Sequence, residues 1–318
     1  MKNKLEDSIF FWNMAVDFLN HYLPDVRRTS TNTVETYRSC LNLYIDYLES
    51  EKSVRRKEIC FSRFDRNHLK EYMVWMNKSR NLSPKTCNLR LTAVHSLMEY
   101  ASGECTDLMA VYMQSCTVKG MKLSQKPIEF FEKEAMSALL SAPDIHKKSE
   151  RRNLMLLVFL YDTAARVSEA LGVRLCDLHM EATVAYVTLL GKGRKYRNIP
   201  LMKKTQEHLK RYISEFHEQD STADSPLFYA VTHGRKHKLS TDTPEKMIKR
   251  YAQEATHCCA SMPGYAHCHM IRKTRAMNLY QEGIPLTHIQ QLLGLPGIPG
   301  NPSYPHYLVT RKVQEKGF

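Results

Sequence analysis

An apolar stripe with helical spacing constrains the N-terminal third of this 318-residue chain most strongly. The stripe lies between residues 31 and 48, and its apolar side chains recur at steps of three and four. Such spacing brings them onto one face of an α-helix. The residues of the stripe are Val34, Tyr37, Leu41, Tyr44, Ile45 and Leu48. A helix with one apolar face must pack against other elements, which predicts a helical bundle.

Three further helices are predicted in the same region from apolar segments bounded by capping and helix-breaking residues. They run from Phe10 to Tyr22 with a stop at Pro24, from a cap at Asp65 to about Asn77, and from Ser83-Pro84 to about Gly103. Residues 1–118 are therefore expected to form a small all-helical domain.

A polar, basic segment that contains glycine and proline, residues 119–127 (KGMKLSQKP), is predicted to be a linker. After it, the β-branched run from Val184 to Leu190, a glycine-containing turn and the run from Tyr196 to Pro200 predict a β-hairpin. Helices are predicted at Glu150 to Thr163, about Lys203 to His217, Pro244 to Ala255, His269 to Glu282 and Leu286 to Leu293. The expected fold is mainly α with a small antiparallel sheet.

Composition excludes several classes of protein. The chain is 43% hydrophobic and 25% charged, so it can bury a core and is not compositionally disordered. Its longest apolar run, Leu154 to Tyr161, is too short to cross a bilayer, and no signal peptide is evident. Nine scattered cysteines do not resemble a disulfide framework. We therefore expect a cytoplasmic protein.

The net charge points to an anionic partner. Lys and Arg total 46 against 33 for Asp and Glu, which gives +13 and a pI near 9.2. Such a balance is typical of proteins that bind a polyanion such as DNA. Charge alone leaves a generic basic protein open.

One cysteine- and histidine-rich region requires weighing as a metal site. The segments are His257-Cys258-Cys259 and His267-Cys268-His269. Adjacent ligands and a single short spacing fit no standard zinc finger. Small side chains beside a basic site are the favoured interpretation, and no metal is expected.

Two basic segments could hold a phosphate. In the first, Thr163 to Leu171, small residues bring a helix end close to its neighbour, and Arg166 could fork two hydrogen bonds to a phosphate. A surface arginine or a partner of Glu169 is the alternative for Arg166. In the second, the hairpin tip from Gly191 to Arg197, glycines permit close approach to a backbone, and Lys192 could donate a proton. A solvated basic hairpin is the alternative there.

Two further features supply an anion-binding pair and a possible nucleophile. His269 and Arg272 are three residues apart, so on a helix they share a face and could bind one anionic oxygen. Tyrosines stand near the C-terminus at Tyr304 and Tyr307. A phenol attacks efficiently only if it is held in line and its developing charge is stabilised.

Arginine, lysine, His-x-x-Arg and tyrosine, in that order, resemble the tyrosine recombinase family, also called phage-type integrases. Thr-Ala-Ala-Arg-Val-Ser-Glu resembles that family's first arginine box, and Gly-Lys-Gly-Arg-Lys-Tyr-Arg-Asn-Ile-Pro-Leu resembles its hairpin. Residues 269–294 resemble the second box. The resemblance implies a SAM-like core-binding domain at 1–118, a linker at 119–127 and an α+β catalytic domain at 128–318.

The resemblance also implies roles for single residues. Arg166 and Arg272 would clamp the scissile phosphate, and His269 would assist proton transfer. Lys192 would protonate the departing 5′-hydroxyl, and Tyr304 would attack to form a 3′-phosphotyrosyl bond. Members of the family use no metal or other cofactor.

By the same resemblance, the partner is double-stranded DNA, cut and rejoined by a homotetramer on paired sites, for a mobile element and with accessory directionality proteins. Basic side chains of both domains would contact the DNA backbone. They are Arg194, Lys195, Arg197, Lys273, Arg275, Lys85 and Arg90.

The C-terminal motif departs from the family pattern. Leu295 follows Leu-Gly where the family has histidine or tryptophan, although Tyr304 keeps the usual spacing of nine residues. Residues 294–305 contain three glycines and four prolines, a composition that opposes helix, so the tail at 294–318 is atypical. Two alternatives therefore stay open: a catalytically impaired DNA-binding relative that acts as a partner or regulator, and a type IB topoisomerase-like enzyme.

Overall fold

The computed structural model describes residues 3–124, 128–191, 195–217, 221–233 and 235–295. The chain divides into two units, Met1–Lys126 and Pro127–Phe318. Both are built mainly of helices, and the second also contains small antiparallel sheets. The predicted fold class is confirmed.

Five α-helices build the described part of the N-terminal unit. They are α1 (Ser8–Asp17), α2 (Thr31–Lys52), α3 (Arg66–Lys78), α4 (Pro84–Glu104) and α5 (Met109–Cys116). The predicted stripe lies on α2, where five of its six members are buried in the core: Val34, Leu41, Tyr44, Ile45 and Leu48. The sequence analysis did not predict α5.

Side-chain caps begin two of these helices as predicted. The Asp65 carboxylate accepts a hydrogen bond from the backbone N–H of His68 at 2.9 Å, at the start of α3. The Ser83 hydroxyl accepts one from the N–H of Thr86 at 3.2 Å, at the start of α4. Each cap satisfies a backbone N–H that has no partner within the helix.

The prediction that the first helix stops at Pro24 is wrong. From α1 the chain continues as a π-helical segment, Phe18–Val26, which contains this proline. Proline has no N–H to donate, but the wider π-turn accommodates the lost bond. After this segment, the carbonyl of Leu23 accepts hydrogen bonds from the N–H and the hydroxyl of Thr29, both at 2.9 Å.

The C-terminal unit contains seven α-helices and five strands within its described residues. The helices are α6 (Lys133–Ser141), α7 (Lys148–Thr163), α8 (Val167–Ala170), α9 (Lys203–Phe216), α10 (Asp242–Ala255), α11 (Cys268–Gln281) and α12 (Leu286–Leu293). The strands are β1 (Leu178–His179), β2 (Tyr186–Leu190), β3 (Tyr196–Pro200), β4 (Tyr229–Thr232) and β5 (Arg235–Lys238). The five predicted helices and the hairpin are confirmed within about two residues at each end.

Strands β1, β2 and β3 form one antiparallel sheet, in which Val187 pairs with Ile199 and Leu189 with Arg197. These four side chains are buried, because alternation along a strand turns every second residue to the same face. Strands β4 and β5 form a separate hairpin that the sequence analysis did not predict.

Helix α7 carries much of the core of this unit. It packs against α9 and α11, and Leu157 and Leu160 on it are buried. Its C-terminal end therefore has a fixed position, and the residues that follow it enter the site described below. Among the described residues, no helix is both long and apolar enough to cross a membrane.

Candidate active site

A left-handed turn follows α7 and leads to Arg166, the first of the predicted site residues. Ala164 ends the helix with φ of 48°, and the N–H of Ala165 donates to the Thr163 hydroxyl at 3.3 Å. The chain then returns to an extended conformation at Arg166, which is the N-cap of α8. Because both alanines are buried and small, the turn brings Arg166 close to the core of the unit.

The carboxylate of Glu169 is the centre of the site. One oxygen, Oε1, accepts from Nη1 of Arg166 at 2.7 Å and Nη1 of Arg197 at 3.1 Å. The other, Oε2, accepts from the backbone N–H of Arg166 at 2.8 Å and Nη2 of Arg197 at 2.6 Å. The side chain of Glu169 is only 4% exposed. Two donors on each oxygen fill the hydrogen-bonding capacity of the carboxylate.

These contacts keep Glu169 ionised. Burial raises the pKa of a carboxyl group, but the hydrogen bonds from Arg197 and Arg166 outweigh it and lower the pKa of Glu169 to about 2. A permanent negative charge thus sits among the guanidinium groups and offsets their mutual repulsion.

Arg272 reaches the same carboxylate from α11. Its Nη1 lies 3.9 Å from Oε2 of Glu169 and donates to the carbonyl of Ala164 at 2.7 Å, while Nη2 donates to the carbonyl of Leu293. Burial, and next the charge of Arg166, lower the pKa of Arg272 to about 10, so the group stays charged at neutral pH. Arg166 and Arg272 are therefore brought together by one acidic residue.

His269 lies one helical turn before Arg272 and is exposed. Partial burial, followed by the positive charges of Arg272 and Lys273, lowers the pKa of its imidazole. At neutral pH the ring is therefore mainly uncharged and can accept a proton.

The structure places Arg197 and Arg275, two of the predicted DNA contacts, in the interior of the unit. Arg197 is buried because it shares the inner face of β3 with Ile199. Arg275 is buried on α11, with Nη2 4.0 Å from the Asp162 carboxylate and 3.7 Å from the Met202 sulfur. Both guanidinium groups face interior partners and not solvent.

The other predicted DNA contacts fall into three groups. Lys195 and, in the N-terminal unit, Lys85 are exposed. Lys273 and Arg90 are partly buried. Arg194 lies outside the described residues, as do Lys192 and Tyr304, which the resemblance assigns to catalysis.

The cysteine- and histidine-rich segments make ordinary protein contacts. The Cys258 thiol donates to the carbonyl of Ala255 at 3.3 Å, and the N–H of Cys268 donates to Glu245 at 3.2 Å. Across the described ranges, no three histidine, cysteine or acidic side chains are grouped so that they could hold a metal ion.

Sequence reasoning missed the central role of Glu169 and the interior role of Arg197. One signal for Glu169 was available. It stands three residues after the N-cap Arg166, the spacing at which a glutamate reaches back to the backbone N–H of the cap. The strand alternation of β3 gave the matching signal for Arg197.

Comparison with known proteins identifies the family. Residues 129–298 match the model of the phage integrase family, and residues 18–106 match the N-terminal SAM-like domain of phage integrases. A putative integrase/recombinase of Sinorhizobium fredii, y4rC, is 27% identical over 87% of this chain and 82% of its own. The tyrosine recombinase XerD of Staphylococcus epidermidis is 28% identical over 89% of this chain and 90% of its own.

Solved structures show the same fold. A XerH site-specific recombinase bound to a palindromic difH substrate aligns with a TM-score of 0.68 at 22% identity, over 85% of this chain and 75% of that one. The Tn1549 transposon integrase in complex with circular intermediate DNA aligns with a TM-score of 0.68 at 17% identity, over 92% and 93%. With both of its family models matched in chain order, this chain belongs to the phage integrase family of tyrosine recombinases.

Proposed function

We propose that the protein is a site-specific recombinase that cuts and rejoins DNA through a 3′-phosphotyrosyl intermediate and serves a mobile element. One observation carries the proposal: Arg166 and Arg272, distant along the chain, meet at the carboxylate of Glu169, with His269 one turn from Arg272. The relatives named integrase/recombinase and transposon integrase support the role in a mobile element.

The arginine pair suits the charge that develops during cleavage. As the phosphate is attacked, its non-bridging oxygens gain negative charge, and preorganised cations stabilise that state more than the ground state. Arg166 uses Nη1 for Glu169, and its side chain is 34% exposed. Its guanidinium can therefore also donate to a phosphate that arrives from solvent.

The remaining roles complete a balanced reaction. The Tyr304 phenol loses its proton, with His269 assisting, and its oxygen bonds to phosphorus. The bond from phosphorus to the 5′-oxygen breaks, and Lys192 protonates the departing hydroxyl. Rejoining reverses these steps with another 5′-hydroxyl, so it needs no ATP. The assignments of Lys192 and Tyr304 rest on the family resemblance.

Double-stranded DNA is the proposed partner. The net charge of +13 favours it, and the XerH and Tn1549 neighbours are DNA complexes. Exposed Lys85 and Lys195 are available for phosphate contacts. A homotetramer on paired sites is part of the proposal, because a λ integrase tetramer on a Holliday junction shares the fold with a TM-score of 0.66 at 13% identity. Accessory directionality proteins belong to it as well.

We propose different roles for the two domains, each of which contains the match to one family model. Residues 1–118 bind the core site, residues 119–127 link the domains, and residues 128–318 catalyse cleavage and rejoining. The atypical segment at 294–318 supplies the nucleophile.

Trapping a covalent adduct tests the proposal. Duplexes that the protein selects from a randomised pool are nicked, so that a cleaved 5′-hydroxyl fragment diffuses away and cannot be rejoined. We expect the wild-type protein to form an adduct that maps to Tyr304. Tyr304→Phe should abolish it, whereas the matched Tyr307→Phe variant should retain it. Arg166→Ala should slow cleavage about 100- to 1,000-fold and leave much of the DNA binding.

DNA binding without any adduct would overturn the proposed chemistry and favour the impaired DNA-binding relative. Relaxation of supercoiled DNA without a defined site would instead favour a topoisomerase-like activity. An adduct at Tyr307 would show that Tyr307, and not Tyr304, is the nucleophile.

A further inference from the structure

The guanidinium of Arg197 makes three hydrogen bonds to other parts of the unit. It donates from Nη1 and Nη2 to the two carboxylate oxygens of Glu169, and from Nε to the carbonyl of Leu292 at 3.2 Å. Glu169 lies on α8, Arg197 on β3 and Leu292 near the C-terminal end of α12. One planar group thus connects three elements of the site.

Two glycines leave room for this guanidinium. A Cβ atom on Gly191 would lie 3.1 Å from Nη1 of Arg197, and one on Gly294 would lie 3.2 Å from its Cδ and Nη1. Both distances are tighter than ordinary van der Waals contact. Arg197 is therefore closely enclosed, with little freedom to turn toward a bound phosphate.

The contacts of Arg197 bear on Arg166 through Glu169. Arg197 occupies one donor position on each carboxylate oxygen, and Arg166 occupies the other. If Arg197 were removed, the hydrogen bonds to the carboxylate described here would come from Arg166 alone, so the orientations of the carboxylate and of the Arg166 guanidinium would be less closely fixed. The carbonyl of Leu292 at the end of α12 would also lose this donor, while the bond from Arg272 to the carbonyl of Leu293 would remain.

We propose that Arg197 is a positioning residue for DNA cleavage. It fixes the Glu169 carboxylate that orients Arg166, and with the same guanidinium it fixes the end of α12, from which the chain leads to the proposed nucleophile. It does not touch DNA. This inference rests on the proposed function.

Single-turnover cleavage of the nicked duplex at saturating protein tests the role. Arg197→Ala should lower the rate about 100-fold, as small displacements of catalytic groups do, with less than about a threefold change in DNA affinity. Added guanidinium ion should restore part of the rate by occupying the vacated space. Urea has nearly the same shape but no charge, so it should restore none.

A second variant covers the case in which Arg197→Ala fails to fold. Arg197→Lys keeps the charge, but a single ammonium cannot bind both oxygens of Glu169 and the Leu292 carbonyl at once. It should melt cooperatively, bind DNA normally and still cleave slowly.

The matched control is Arg151, which has the same bonding pattern elsewhere in the unit. It binds both carboxylate oxygens of Glu215, at 2.9 Å and 3.1 Å from Nε, and donates to the carbonyl of Ile145 at 2.7 Å. Arg151→Ala should cleave at the wild-type rate per folded molecule and should not respond to guanidinium.

The first measurement is whether the wild-type protein forms the covalent adduct. Its result distinguishes failure of the proposed function from failure of the inference about Arg197. Without a wild-type adduct, the proposed function fails and this inference falls with it. With one, the inference is overturned if folded Arg197→Ala or Arg197→Lys cleaves at the wild-type rate. It is also overturned if guanidinium leaves the rate of folded Arg197→Ala unchanged, or if DNA affinity falls as far as the cleavage rate.

Discussion

Glu169 shows how one residue can organise a cationic site. Its buried carboxylate binds Arg166 and Arg197 and lies near Arg272, and these contacts hold its pKa far below the ordinary value. Two buried guanidinium groups and the partly exposed Arg166 would repel one another without such a charge, and the two buried groups would also lose their hydration.

The depressed pKa predicts a stability that depends on pH. The folded value of about 2 lies below the ordinary 4.5, so the stabilisation is fully present above about pH 4.5 and is lost as pH falls toward 2. Glu169 should contribute about 3 kcal/mol to this loss. Urea denaturation at pH 7 and pH 3 should show a smaller difference for Glu169→Gln than for the wild-type protein. If the two proteins lost the same stability between pH 7 and pH 3, the lowered pKa of Glu169 would be contradicted.

The left-handed Ala164 makes a second prediction at this scale. A β-branched side chain is strongly disfavoured at φ of 48°, and Ala164 is fully buried. Ala164→Val should therefore destabilise the protein by about 2–4 kcal/mol in urea denaturation. Ala164→Gly should stay within about 1 kcal/mol of wild type, because relief of backbone strain offsets the lost methyl group. A loss of less than about 1 kcal/mol in Ala164→Val would show that the backbone of the turn adjusts easily to the larger side chain.

Leu295 is the third residue with a testable consequence. It is 44% exposed, and its N–H donates to the carbonyl of Gln290 at 3.0 Å, so its backbone is held at the end of α12. Leucine cannot donate a side-chain hydrogen bond to phosphate. Leu295→His should raise the cleavage rate in the trapping assay, whereas Leu295→Phe, which is bulky but cannot donate, should not. If Leu295→His does not raise the cleavage rate, a side chain at residue 295 does not reach the phosphate.

At the scale of elements, sequence patterns predicted the helices and strands whose ends are set by nearby residues. The capped helices α3 and α4 and the hairpin of β2 and β3 were found, because caps, periodicity and turn residues are local signals. Strand β5 was missed because all four of its side chains are exposed, which leaves no alternation to read.

Long-range contacts limit prediction of the site in the same way. The family boxes located Arg166, His269 and Arg272, but no local pattern shows that Arg197 meets Glu169 or that Arg275 faces Asp162. The stop predicted at Pro24 was wrong because this residue lies in a π-helical segment, a form that local residue preferences do not indicate.

The cap of α3 gives a prediction for a whole element. Asp65→Ala should lower the free energy of unfolding by about 1 kcal/mol, because the N–H of His68 would lose its acceptor. Asp65→Asn keeps a capping oxygen and should lose only a few tenths of that. Chemical denaturation distinguishes the two variants, and equal losses would mean that the charge of Asp65 and not its cap stabilises the helix.

For the whole molecule, the excess of basic residues predicts a strong effect of salt. Each phosphate contact releases counterions, so the logarithm of the DNA affinity should fall steeply and linearly with the logarithm of salt concentration. Lys85→Ala and Lys195→Ala, at exposed positions, should each reduce the slope by about one. Lys70→Ala, also exposed but not a proposed contact, serves as the control. A flat plot would mean that few phosphates are bound.

The end of α12 has a consequence for where the chain can be shortened. Aligned peptide dipoles give a helix C-terminus roughly half a negative charge, and here the carbonyls of Leu292 and Leu293 direct it at Arg197 and Arg272. A stop codon ahead of these residues would remove more than the tail that follows. It would also remove the carbonyl partners of Arg197 and Arg272, so a protein truncated there should lose the arrangement of these arginines around Glu169 together with the proposed nucleophile.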